Sequence, residues 1–67
     1  MLDVKVIGER LRALRGSIPR ETVAKDNNIS VSALAMYETG QRVPRDRVKY
    51  SLAKYYNSTI ESIFFTE

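Results

Sequence analysis

The sequence predicts an all-α fold, a compact bundle of five short helices, and three observations carry that prediction. Apolar residues recur at three- and four-residue spacing along most of the chain, and no segment reads convincingly as a strand. Ser, Thr and Pro stand where the periodic runs open, and Gly or Asn where they stop. The glycines and prolines fall between periodic segments, so the chain reads as helices separated by punctuation, without repeats or low-complexity linkers.

The first helix is expected over Val4 to Arg15, where Val4, Ile7, Leu11 and Leu14 form one stripe and Glu9, Arg10 and Arg12 lie elsewhere. Gly16 and Ser17 end it. A second helix opens at Pro19, whose fixed φ and missing N–H suit a first turn; Glu21 complements the helix dipole, and Val23 and Ala24 supply the buried side. Asn27 and Asn28 break it, because short amide side chains tolerate left-handed backbone and compete for helical hydrogen bonds. After Ile29, an expected buried plug, Ser30 caps a third helix running through Glu38, and Gly40 terminates it. Leu34 and Tyr37 point inward. The opposite face, Val31, Ser32, Ala33, Ala35 and Met36, is small and uncharged, so something is expected to cover it. Beyond the basic loop Gln41, Arg42, Val43, a fourth helix starts near Pro44 with Val48, Leu52 and either Tyr55 or Tyr56 on its stripe. Thr59 caps a short fifth helix holding Ile60, Ile63 and Phe64. The expected core is Val4, Ile7, Leu11, Leu14, Ile18, Val23, Ala24, Ile29, Leu34, Val48, Leu52, Ile60 and Ile63.

The 67 residues are read as one domain spanning 1–67, whose single core leaves only a few kcal/mol of net stability. The absence of cysteine and histidine excludes disulfide frameworks, zinc fingers, thiol nucleophiles and imidazole bases. No apolar run is long enough to span a bilayer, and the N-terminus does not read as a signal peptide, so a cytoplasmic protein is expected. Asp26, Glu38 and Asp46 are isolated in sequence and do not form the paired carboxylates of an acid/base or metal site; neither enzyme activity nor a cofactor is expected. The net charge of +3 is unevenly placed: Arg42, Arg45, Arg47, Lys49 and Lys54 face only Asp46 between Gly40 and Tyr55. Such a cluster can neutralise phosphates. Five aromatics, Tyr50, Tyr55, Tyr56, Phe64 and Phe65, exceed what so small a core can hide, so a homodimer surface is expected at Tyr55, Tyr56, Phe64 and Phe65.

Two short helices joined by a tight turn, the second capped by Ser and bearing small side chains, form the unit that sets a helix into the DNA major groove. The runs Arg20-Glu21-Thr22-Val23-Ala24, Asn28-Ile29-Ser30-Val31-Ser32-Ala33-Leu34 and Tyr37-Glu38-Thr39-Gly40, with Pro44, resemble the lambda-repressor-like (Xre/Cro-type) helix-turn-helix family. Leu52-Ala53-Lys54 with Ile60-Glu61 is similar to that family's fourth and fifth helices, so the resemblance covers residues 6–64. There are departures. Arg20 stands where the family has Gln, Pro19 where it has a capping Ser or Thr, and Asn28 where Gly is commonest.

The resemblance implies a helix-turn-helix formed by helices 2 and 3, with Val31, Ser32, Ala33 and Met36 facing base edges. With no Arg, Gln or Asn among them, bidentate readout is missing, and discrimination is expected from methyl contacts and DNA shape. Phosphate contacts fall to Arg20, Thr39, Gln41, Arg42 and Arg45, whereas Arg47, Lys49 and Lys54 read as a solvated face. Arg15 and Glu38 occupy positions that imply a structural ion pair between the first and third helices. The implied function is sequence-specific regulation of transcription on double-stranded DNA, as a homodimeric repressor of phage or mobile-element type on a palindromic operator. The alternative is a protein-interaction module or antitoxin-type regulator that has kept the fold with weak or no DNA binding.

Overall fold

The computed structural model describes residues 3–66. Asp3 caps the first helix by accepting from the Lys5 N–H at 2.8 Å. Five helical elements follow: α1 (Val4–Arg15), α2 (Arg20–Asp26), α3 (Val31–Glu38), α4 (Asp46–Tyr55) and a single wide turn, α5 (Glu61–Phe65). No strand occurs among the described residues. The bounds of α1 and α3 are those the periodicity predicts, and Ser30 Oγ accepts from the Ala33 N–H at 2.9 Å as a cap should. Helix α2 starts one residue later than expected, because Pro19 takes extended backbone (ψ 144°) and serves as the cap residue instead of the first turn. The start of α4 is also displaced: Pro44 is buried ahead of the helix, and Arg45 is extended at ψ 164°, so Asp46 is the first helical residue. In α5 the Thr66 N–H donates to Glu61 O at 2.8 Å, a five-residue closure that widens the turn. Thr59 Oγ1 accepts from the Ser62 N–H at 3.0 Å at its start.

The core forms where α1 and α2 pack on α3 and α5 closes on α1, and its largest fully buried side chains are Phe64, Ile7, Leu11, Leu34, Leu52, Ile63 and Val23. Three expectations need correction here. Leu14 and Ile18 are each 37% exposed. A helix turns by about 100° per residue, which puts Leu14 at the rim of a buried side centred on Ile7, Gly8 and Leu11. Phe64, expected at a dimer surface, is fully buried. It stands one helical turn on from Ile60 and beside buried Ile63, and its neighbour Phe65 is 48% exposed. Lys49, expected on a solvated face, is 8% exposed. Its ammonium lies 5.7 and 5.2 Å from the Phe64 and Phe65 ring centres and 3.7 Å from Asp46 Oδ1, so the aliphatic stem packs while the charge keeps partners. Val4, Ile29 and Ile60 are only partly buried.

The glycines are not all punctuation. Gly8 lies inside α1, and a Cβ there would stand 2.6 Å from Glu38 O and 2.8 Å from Tyr37 O. Its missing side chain is what lets α1 rest on the C-terminal turn of α3, a fact that no local pattern around Gly8 reveals. The α2–α3 turn is locked from two sides. Asn28 sits in left-handed backbone (φ 56°), as its short amide side chain permits. Buried Asn27 donates from Nδ2 to Val23 O at 2.8 Å and accepts from Ser51 Oγ at 2.7 Å, which ties the turn to α4.

Candidate nucleic-acid interface

Helix α3 is short, and the residues that bury one side of it determine which side it presents. Leu34, Tyr37 and Glu38 are buried, with Leu34 fully enclosed. At about 100° per residue the opposite side is then centred on Ser32 and Met36, with Ala35 and beyond it Val31 on one flank. Val31 is 41% exposed, Ser32 is exposed, and Ala35 and Met36 are half-buried. Ala33 lies to the other flank, partly packed on the core. There it lines a groove of about 380 Å³ between the start of α3 and the basic loop, together with Ser30, Tyr37, Arg42, Arg45 and Arg47. Of the four residues expected to face base edges, Ser32 and Met36 centre the outward side of α3, Val31 is exposed on one flank, and Ala33 lines the groove on the other.

The loop after α3 is ordered by its own hydrogen bonds. The Gln41 N–H donates to Met36 O at 2.9 Å, and Thr39 Oγ1 donates to Ala35 O at 2.9 Å while accepting from Gln41 Nε2 at 3.0 Å. Thr39 and Gln41 therefore form one polar unit at the C-terminal end of α3. Arg42 and Arg45 follow, both exposed, on the extended chain leading to α4.

Beneath α3 lies the most concentrated electrostatic feature among the described residues. The Glu38 carboxylate is fully buried and accepts from Arg15 Nε at 2.7 Å and Arg15 Nη2 at 3.0 Å, a two-pronged contact. The same carboxylate accepts from Arg20 Nε at 2.9 Å, and Arg15 Nη1 reaches Ile18 O at 2.8 Å. The hydrogen bond to Glu38 raises the Arg15 pKa still further above its ordinary range. Arg15 ends α1, Arg20 begins α2 and Glu38 ends α3, so one carboxylate joins three helix ends. The participation of Arg20 was not visible in sequence: it was expected to reach phosphate, and its Nε instead faces inward. Its Nη atoms make no hydrogen bond among the described residues, and its side chain is 34% exposed. The Tyr56 hydroxyl is buried close by without a hydrogen-bond partner among the described residues, and burial, reinforced by the Glu38 charge, pushes its pKa up to about 12.

The aromatic side chains expected at a dimer surface do not form one patch. Phe64 is core, and Tyr55 and Tyr56 are half-buried with their rings edge-to-face at 5.3 Å. Tyr55 Oη donates to Asp26 Oδ2 at 2.8 Å. The exposed aromatics are Tyr50, at 60%, and Phe65. Among the described residues there is no cluster of three or more potential metal ligands, and no helix is long and apolar enough to cross a membrane.

No protein-family model matches the chain, and no curated protein sequence matches it. Among solved structures, the chain is similar to the restriction-modification controller protein C.AhdI from Aeromonas hydrophila, at 28% sequence identity and a TM-score of 0.83. The match covers 92% of this chain and 97% of the controller, so the two share the whole arrangement of helices and not a fragment of it.

Proposed function

We propose that this chain, which has the lambda-repressor-like helix-turn-helix fold, is a DNA-binding transcriptional regulator. Its α3 lies in the major groove with Val31, Ser32 and Met36 toward base edges and Ala33 at the groove wall. The observation that carries the reading is the pairing of an uncharged outward side on α3 with flanking cations, in the same fold as a restriction-modification controller. Arg42 and Arg45, on the loop that follows α3, suit the phosphates beside the groove that α3 enters. Gln41 keeps a second Nε2 proton for the same backbone, held in place by Thr39, whose own hydroxyl proton goes to Ala35 O, and the Nη groups of Arg20 offer a fork. The regulator acts in the cytoplasm as a homodimer that represses by occupying a palindromic operator, its two α3 helices one turn of DNA apart, about 34 Å.

The apolar content of α3 favours one competing reading, in which the same face grips a partner protein. Salt separates the two. Counterion release makes the logarithm of DNA affinity fall with the logarithm of salt by about 0.9 per neutralised phosphate. Arg42→Ala and Arg45→Ala, both at exposed positions and each present twice in a dimer, are each expected to reduce that slope by about 1.8 with the melting temperature unchanged. Binding that ignores salt, or slopes that both variants leave unchanged, contradicts the DNA reading and favours the protein partner.

A further inference from the structure

Resting on the reading of α3 as a major-groove helix, we propose that this chain recognises the C5-methyl group of pyrimidines and binds thymine and 5-methylcytosine alike. On the outward side of α3 the Ser32 hydroxyl is the one side chain that can form a hydrogen bond; Val31, Ala35 and Met36 offer only apolar surface. The major groove presents paired acceptors on guanine, an acceptor and a donor on adenine, an amino group on cytosine, and a carbonyl with a methyl group on thymine. Reading the polar patterns takes a side chain with two fixed hydrogen-bonding groups, such as Arg, Asn or Gln, and this side of α3 has none. What Val31 and Met36 can gain from is apolar surface, and in that groove the C5-methyl group supplies it.

The ring that carries the methyl group is then of little consequence. Thymine places a carbonyl acceptor beside its methyl group and 5-methylcytosine an amino donor. A serine hydroxyl rotates to donate to the first or accept from the second, so Ser32 satisfies both. No outward side chain of α3 is equipped to distinguish the adenine opposite thymine from the guanine opposite 5-methylcytosine. Arg42 and Arg45 hold the backbone whichever base is present. The face therefore discriminates methylated from unmethylated pyrimidines more strongly than it discriminates between thymine and cytosine.

The test uses the best duplex selected from a random pool, resynthesised with single thymines replaced by deoxyuridine, by 5-methyldeoxycytidine paired with guanine, or by deoxycytidine paired with guanine. Removing one buried methyl group is expected to weaken binding about fourfold. Deoxyuridine and deoxycytidine should therefore match each other, and 5-methyldeoxycytidine should bind like thymine. Val31→Ala combined with Met36→Ala, checked by far-UV circular dichroism to be folded, is expected to bind all four duplexes alike. Deoxyuridine bound as tightly as thymine, or 5-methyldeoxycytidine as weakly as cytosine, overturns the proposal while leaving DNA binding intact. Failure of the unmodified duplex to bind at low salt defeats the DNA reading, and this proposal with it.

Discussion

Replacing Gly8 by alanine sets two effects of opposite sign against each other. In an unconstrained helix interior the substitution stabilises by about 1 kcal/mol, because glycine is the poorer helix former. Here the new Cβ would stand 2.6 Å from Glu38 O, 2.8 Å from Tyr37 O and 2.9 Å from Glu38 C. Relaxed contacts lie near ~3.5 Å, so α1 and α3 must separate by most of an ångström. All three neighbours are backbone atoms, and none can rotate aside. Overpacking of this kind costs about 1–3 kcal/mol, and the upper end applies where the obstacle is backbone. The net expectation is a loss of about 2 kcal/mol, which for a domain of this size lowers the melting temperature by roughly 8–16 °C. The same backbone carries Glu38, so the separation also loosens the carboxylate that joins α1, α2 and α3. Thermal and urea unfolding followed by far-UV circular dichroism measure the loss. Gly16→Ala is the comparison: Gly16 has φ +58° and ψ −124°, and a Cβ there would meet only Ala13 O at an ordinary 4.0 Å, so that variant bears a backbone cost of about 1–3 kcal/mol and no clash. A Gly8→Ala protein that melts at or above the wild-type temperature refutes the close-approach reasoning.

Two further perturbations probe the buried polar cluster. Burial raises the Tyr56 pKa from 10.0 to about 12, so the folded chain keeps this phenol neutral after the unfolded chain has ionised it. The stabilisation is complete below about pH 10 and is lost as pH rises from there toward 12. Tyr56→Phe is expected to flatten the alkaline loss seen in urea titrations and, by deleting an unpartnered buried hydroxyl, to be neutral or stabilising by up to about 1 kcal/mol at pH 7. Glu38→Gln keeps the side-chain volume but leaves two guanidinium groups facing each other without their carboxylate, at a cost of about 3–5 kcal/mol. Net stability in so small a domain is only a few kcal/mol, so circular dichroism of this variant at 25 °C should show a largely unfolded chain; a fully folded one contradicts the structural role given to the cluster.

Local chemistry was legible in sequence, and long-range contacts were not. The bounds of α1 and α3, the Ser30 cap and the left-handed Asn28 follow from interactions within a few residues, which spacing and residue type report directly. Nothing in the local pattern of α1 marks Gly8, because its purpose lies in α3, thirty residues away. Phe64 and Phe65 are adjacent and alike; the spacing Ile60, Ile63, Phe64 already places Phe64 with the core side chains, and only the number of aromatics points to a surface role for it. Arg20 and Glu38 are 18 residues apart, so no motif announces that Arg20 adds a second guanidinium to a pair with Arg15. Lys49 reads as solvated by charge, yet its stem covers aromatic surface that exists only once α4 and α5 meet. In the candidate interface, the composition of α3 was plain, while the turning of Ala33 toward the groove required the packing of Leu34 and Tyr37.

The central claim, that α3 reads duplex DNA, is tested most directly by selecting bound sequences from a random duplex pool. The best site is then titrated at two salt concentrations with wild type and with Ser32→Ala combined with Met36→Ala. The account predicts a palindrome that the wild type enriches, with affinity falling steeply as salt rises, and a double variant that retains the fold and the salt dependence but no longer prefers the palindrome. Enrichment of no sequence by the wild type, or an unchanged preference in the double variant, contradicts it.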